Sequence, residues 1–247
     1  MMEGFNGSPP KDQNSSIHLL EAFTELYKAW KDDHLKTRLI EMLELVRDTI
    51  TNDKGTMNLF FRKDWSPVYY TDSEFPTSPN KHLYDHISFG HDIETAFLLI
   101  EASEAAGLGH DHKTLEASKK MADHSIINGW NPETGAMADA GYYYEEDKMT
   151  IINEKTAWWI ATESFNTMLI MSELYPDDPM EYFDKFTRTW NYCKNYLIDW
   201  ERGGWYQHGL DTSPHSEESD KGNIWTGNYH TARSLINCSK ILSGKYP

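Results

Sequence analysis

Three histidines stand where a ring nitrogen could carry a proton: His18 in NSSIHLLEAF, His91 in SFGHDIETAF and His230 in NIWTGNYHTARSL. The first two lie at or near expected helix starts, and His230 begins the last expected helix. His91 and Glu94 are three residues apart, so on a helix they share a face and the carboxylate can orient the imidazole. His230 and Arg233 have the same spacing. An imidazole held by a carboxylate can act as a general base near neutral pH. Each histidine taken singly also fits a cap or a hydrogen-bonded core position. Three in comparable places favour chemistry more than any one does.

Other chemistries find less support. HDIE offers one histidine and two carboxylates, but a helical zinc site places two histidines at i and i+4. His82 and His86 have that spacing, in a segment that reads as a loop, and no metal is expected. GLGH at 107–110 lacks both the length and the lysine of a phosphate-cradling loop. No serine-nucleophile signature is present, and no cofactor is expected. Thirty-nine acidic against twenty-three basic residues give a net charge of −16. That balance argues against nucleic acid and anionic membrane surfaces as partners. Cys193 and Cys238 are far apart and read as buried free thiols. With no apolar leader in MMEGFNGSPPKDQNSS, a cytoplasmic setting is expected. No apolar run reaches the ~18–20 residues of a membrane span.

Seven stretches with apolar residues at helical spacing must position these groups: about 15–30, 34–51, 89–107, 112–129, 155–175, 180–200 and 227–243. Ser16 is a candidate N-cap for the first. Asp92 and Glu94 fall in the first turn of the third, where the helix dipole favours negative charge. Long connectors at 53–70, 131–146 and 201–214 each begin with polar residues and glycine, then alternate aromatic and polar residues as a β-hairpin does. Helix pair plus connector is a weak internal repeat, and the long connectors favour a closed α/α barrel over an open solenoid. Seven helices leave the first without a partner. Its apolar face would cost about 25 cal/mol per Å² if left exposed, so self-association through an open side of the barrel is expected. The chain reads as a single domain over 1–247, with 1–13 irregular.

NSSIHLLEAFTELY, SFGHDIETAFLLIEA, the WW…E run at 158–163 and Trp225…Tyr229-His230…Arg233 together resemble the N-acylglucosamine 2-epimerase relatives. HDIE is similar to the cellobiose and mannobiose 2-epimerase branch. The resemblance covers about 12–243. It implies an all-α fold of the (α/α)6-barrel type, of which this chain would hold about seven of twelve helices. The implied reaction inverts C2 of the reducing-end sugar of a β-linked disaccharide such as mannobiose or cellobiose, through a cis-enediol and without a redox cofactor. Carried over by position, His91 and His230 are the acid/base pair, and Glu94 orients His91. His18, Asn14, Trp159, Trp225 and Glu163 line the sugar site, and Arg233 is placed with them.

Three departures bear on activity. Relatives run about 150 residues longer at the N-terminus, in a stretch expected to carry an arginine for the developing enediolate. Loss of one such group typically costs about 10²–10³ in rate. Ala161 and Thr226 stand where the family commonly has glutamine and lysine. The isolated chain is therefore expected to be weak or inactive. Two other functions fit the same residues: an aldose–ketose isomerase, and a non-catalytic carbohydrate-binding remnant that keeps Trp159 and Trp225.

Overall fold

The computed structural model describes residues 9–69, 85–109 and 111–244. All seven expected helices form: α1 (Gln13–Ala29), α2 (Asp33–Leu45), α3 (Phe89–Ala105), α4 (His112–Gly129), α5 (Trp158–Leu174), α6 (Tyr182–Tyr192) and α7 (Tyr229–Leu242). Five short strands accompany them: β1 (Lys11–Asp12), β2 (Phe60–Phe61), β3 (Ile87–Ser88), β4 (Ala140–Glu145) and β5 (Lys148–Asn153). β1 pairs antiparallel with β2, and the other three form a sheet of order β3-β4-β5. Among the described residues no helix is long and apolar enough to cross a membrane.

The N-cap of α1 is Asp12 rather than Ser16. Asp12 has extended backbone and accepts from Ser15 N at 2.7 Å, while the Ser16 hydroxyl, already inside the first turn, donates to the Asp12 carbonyl. An ionised carboxylate facing the orphan N–H groups of the first turn caps better than a hydroxyl one turn further in. Lys11 and Asp12 lie in strand β1, within the stretch read as irregular.

The helices alternate in character. From Phe89 to Ile100, α3 buries every residue but one, and α5 buries nearly all of Trp158–Met171. Such helices are apolar all round because they are surrounded. α2 and α6 instead bury a single stripe, Leu35, Leu39 and Leu43 on one and Tyr182, Phe186 and Thr189 on the other. α1 exposes Leu19 and Leu26, followed by Trp30 at its C-cap, and α7 exposes Leu235, Ile236 and Leu242.

α2, α4 and α6 share one way of ending. Past the helix end, and past the π-helical turns Val46–Ile50 and Cys193–Leu197 that extend α2 and α6, a side chain folds back on the backbone: Asn52 Oδ1 accepts from Lys54 N, Asn131 Oδ1 from Glu133 N, and Asp199 Oδ1 from Glu201 N, at 2.8–2.9 Å. A left-handed glycine follows each, Gly55, Gly135 and Gly204, with φ of 81–83°, and one bridge closes each turn: Thr51↔Met57, Trp130↔Met137 and Ile198↔Trp205. Asparagine and aspartate support such turns because their short side chains reach the backbone two residues on. This is the repeat detected in the sequence.

The connectors then diverge. The first turns back between Phe60 and Val68, and the second continues into the β4–β5 hairpin. The third makes no hairpin of its own. His208 bridges Ala157, and Gly209 N donates to Thr156 O, so this connector pairs with the chain entering α5.

Contacts divide the chain into two compact units, and the division runs through α3 and through the β4–β5 hairpin. One comprises 1–88, 95–124 and 142–150, the other 89–94, 125–141 and 151–247.

Candidate active site

The second unit gathers three helix starts and builds two layers from them. The upper layer is aromatic: His91 from the first turn of α3, Trp159 from α5 and His230 from α7. The indole of Trp159 neighbours both imidazoles, with centroids 4.8 Å from His91 and 5.6 Å from His230. One turn along each helix lies a charged residue, Glu94, Glu163 and Arg233. Glu94 and Glu163 are fully buried, and the Arg233 side chain is 13% exposed. Helical periodicity makes the layers, since a residue three or four positions on returns to the same face.

The carboxylate that meets His230 is Glu163. Its Oε1 lies 2.7 Å from Nδ1, whereas Glu94 Oε1 is 3.7 Å from the same nitrogen. Glu94 is engaged by Arg233, whose guanidinium reaches Glu163 as well. With Nδ1–H donated to Glu163, the lone pair of His230 sits on Nε2, the arrangement a general base requires. The Tyr229 ring packs at 4.5 Å from the His230 ring, and its hydroxyl accepts from Arg233 Nη1 at 2.7 Å. In the sequence, Tyr229 stands out only as part of the Trp225…Arg233 motif.

Gly90 makes the upper layer possible. A Cβ there would fall 2.6 Å from the Trp159 ring and 2.7 Å from Ile160 Cγ1. With no side chain, the first turn of α3 closes directly on the indole and brings His91 beside it. Behind this, the Thr167 hydroxyl donates to Ile93 O at 2.8 Å and ties α5 to the first turn of α3.

The remaining sequence candidates lie elsewhere. Asn14 is exposed on α1, and the half-buried His18 has Nδ1 3.5 Å from Glu21 in the first unit. Trp225, 80% exposed, stands in the loop before α7. The next residue, Thr226, is buried; its amide donates to Asn223 Oδ1 and its hydroxyl accepts from Gln207 at 3.5 Å. Ala161 is fully enclosed on α5. His82 lies outside the described residues.

Glu94, Glu163 and His230 offer ligand atoms within 4.8 Å of one another, the geometry of a cation site. The positive charge among these groups is the Arg233 guanidinium itself. Both cysteines are buried free thiols. Burial, followed by the negative charge of Glu163, pushes the Cys238 thiol up to about 12, so it is an inert core group.

Helical hairpins with a cluster of histidines, carboxylates and an arginine at the helix starts define an all-α protein of the α/α-barrel class. The chain belongs to the N-acylglucosamine 2-epimerase family, whose model matches residues 1–234. It is 27% identical over 229 residues to the cellobiose 2-epimerase of Bacteroides fragilis, covering 92% of this chain and 52% of that one. It is 22% identical over 245 residues to the D-mannose isomerase of Thermobifida fusca, covering 96% and 57%. The cellobiose 2-epimerase structure from Bacillus thermoamylovorans superposes with a TM-score of 0.78 at 24% identity, over 98% of this chain and 56% of that one. The chain thus spans little more than half the length of the relatives it matches.

Proposed function

We propose that this chain carries the proton-transfer centre of a sugar 2-epimerase, with His91 and His230 as the two acid/base groups. The observation that carries the reading is that both imidazoles neighbour one indole, with His230 held by a buried carboxylate at 2.7 Å. In an open-chain aldose the proton on C2 is acidic because it lies next to the C1 carbonyl. One imidazole removes it while O1 takes up a proton, giving a cis-enediol. The other imidazole returns a proton to the opposite face of C2 as O1 gives its proton up, so C2 is inverted and nothing is oxidised or reduced. Two bases flanking a flat intermediate suit this chemistry, and Trp159 offers an apolar surface for the sugar's C–H face.

The substrate class is the reducing-end sugar of a β-linked disaccharide such as cellobiose or mannobiose, which the cellobiose 2-epimerase relatives support. Glu94 and Glu163 orient the acid/base layer, and Trp225 contributes a sugar contact. Arg233 pairs with the two carboxylates. The apolar faces of α1 and α7 support self-association, and a single monomeric species in sedimentation at micromolar concentration would remove that part of the proposal.

The test is proton exchange at C2. The purified chain is incubated with cellobiose or mannobiose in D₂O and followed by NMR. Deuterium at C2 with the C2 epimer accumulating is the expected result. A ketose product would move the assignment to an aldose–ketose isomerase, the activity named for the Thermobifida relative. No exchange, with sugar binding unchanged in His91→Ala and His230→Ala, would assign a binding remnant.

A further inference from the structure

Arg233 sits where a counter-charge is well placed. Its Nη2 lies 2.5 Å from Glu94 Oε1 and 2.8 Å from Glu163 Oε1, and its guanidinium centre lies 4.6 Å from the centroid of the Tyr229 ring. Both carboxylates are fully buried. Two carboxylates so close, and so far from water, cannot both stay ionised without a cation between them. Two carboxylates and an imidazole resemble the donor set of a divalent-metal centre; here a planar guanidinium, which cannot lose its proton, takes the cation's place.

We propose that Arg233 is a positioning residue, the fixed counter-cation for Glu94 and Glu163, so that His230 does not have to supply that positive charge and stays neutral, with its proton on Nδ1 and its lone pair on Nε2. This deepens the epimerase reading and rests on it only for the role of His230. The charge count gives the reason. With Arg233 present, two carboxylates and a neutral imidazole carry one net negative charge; without it they carry two. The cluster then regains a proton, and His230, 2.7 Å from Glu163, is the group best placed to take it. A protonated His230 has no lone pair to accept the C2 proton. Among the described residues, the charged and titratable groups around His230 include Glu163 from α5, Glu94 and His91 from the start of α3, and Tyr229 and Arg233 from α7 itself. Cys238, further along α7, lies near enough to feel the Glu163 charge. Arg233 is the cation in direct contact with both carboxylates.

The experiment compares Arg233→Met and Arg233→Lys with the parent chain. One readout needs no turnover: ¹⁵N-histidine NMR near pH 7.5. The parent and Arg233→Lys show a neutral His230 ring protonated on Nδ1, and Arg233→Met shows an imidazolium. The other readout is the pH profile of C2 exchange. In Arg233→Met its rising limb moves up by about 1–3 pH units, while KM changes less than twofold and Arg233→Lys restores most of the shift. A neutral His230 in Arg233→Met would overturn the proposal. So would a raised KM with an unmoved pH profile, which is the signature of a lost sugar contact. If Arg233→Met fails to fold, an imidazolium in folded Arg233→Lys overturns it equally, since the charge is then present and the effect is not. Absence of exchange in the parent would count against the epimerase reading alone and leaves the spectroscopic result standing.

Discussion

His230 Nδ1 and Glu163 Oε1 meet at 2.7 Å across 67 residues of sequence. The pair joins the start of α7 to the second turn of α5, and it sets which ring nitrogen can face a substrate. Replacing the carboxylate by an amide keeps the shape and removes the charge that fixes the tautomer. Glu163→Gln is expected to lower C2 exchange by about 10²–10⁴ with little change in KM. Unchanged exchange in a folded Glu163→Gln would mean that this hydrogen bond is structural only.

Gly90 is expected to be intolerant of a methyl group, because the Cβ of alanine would lie 2.6 Å from the Trp159 ring. Overpacking of this kind typically costs about 1–3 kcal/mol. Here the displaced ring is the one beside both histidines, so Gly90→Ala should lose proportionally more activity than stability. Urea denaturation and C2 exchange on the same sample separate the two effects.

Much of this centre was legible in the sequence, for a definite reason. His91 with Glu94, and His230 with Arg233, are drawn together by a three-residue spacing that helical geometry turns into a shared face, whereas Trp159 and Glu163 are carried over from the family resemblance. What the sequence did not convey was the pairing across helices. Spacing suggested that Glu94 serves His91, but the carboxylate on His230 comes from another helix at a separation no local pattern encodes. The helices were readable because apolar periodicity marks them directly, and Asp12 displaced Ser16 as the cap because capping depends on backbone conformation at single residues. The third connector could not be distinguished from a hairpin, since its partner, the segment before α5, is not its neighbour in sequence.

In the first unit, His124 is buried with Nε2 2.8 Å from the Tyr143 hydroxyl. Burial, and then the charge of Lys54, holds its imidazole down to about 4. The unfolded chain binds this proton near pH 6.5 and the folded chain does not. Stability is therefore full above about 6.5, declines as pH falls from there to about 4, and loses nothing more from this group below that. The loss is of order 3 kcal/mol across the window. His124→Gln should flatten this part of the stability profile, and urea midpoints at pH 7 and 4.5 would show it. Parallel profiles for parent and variant would contradict the assignment.

Two glycines with nearly the same backbone angle should respond differently to alanine. Gly135 and Gly204 have φ of 83° and 81°, so each alanine costs about 1–2 kcal/mol in backbone strain. At Gly204 the new methyl group would meet only the Lys221 side chain, at 3.3 Å. At Gly135 it would lie 2.6 Å from the Arg188 carbonyl of α6, and backbone cannot swing aside as a lysine can. Gly135→Ala should therefore cost about 3 kcal/mol or more, against about 1–2 for Gly204→Ala. Equal losses in chemical denaturation would show that backbone angle alone decides the matter.

The turns that end α2, α4 and α6 also bear on how the chain acquires its structure. In each, the side-chain hook, the left-handed glycine and the closing bridge fall within about eight residues of one another, so the motif completes itself from sequence neighbours alone. Closing so short a loop costs little entropy and takes well under a microsecond. A polypeptide leaving the ribosome can thus finish one helix end before the next helix has been synthesised. The histidine and carboxylate centre, whose partners come from three helices, must form last.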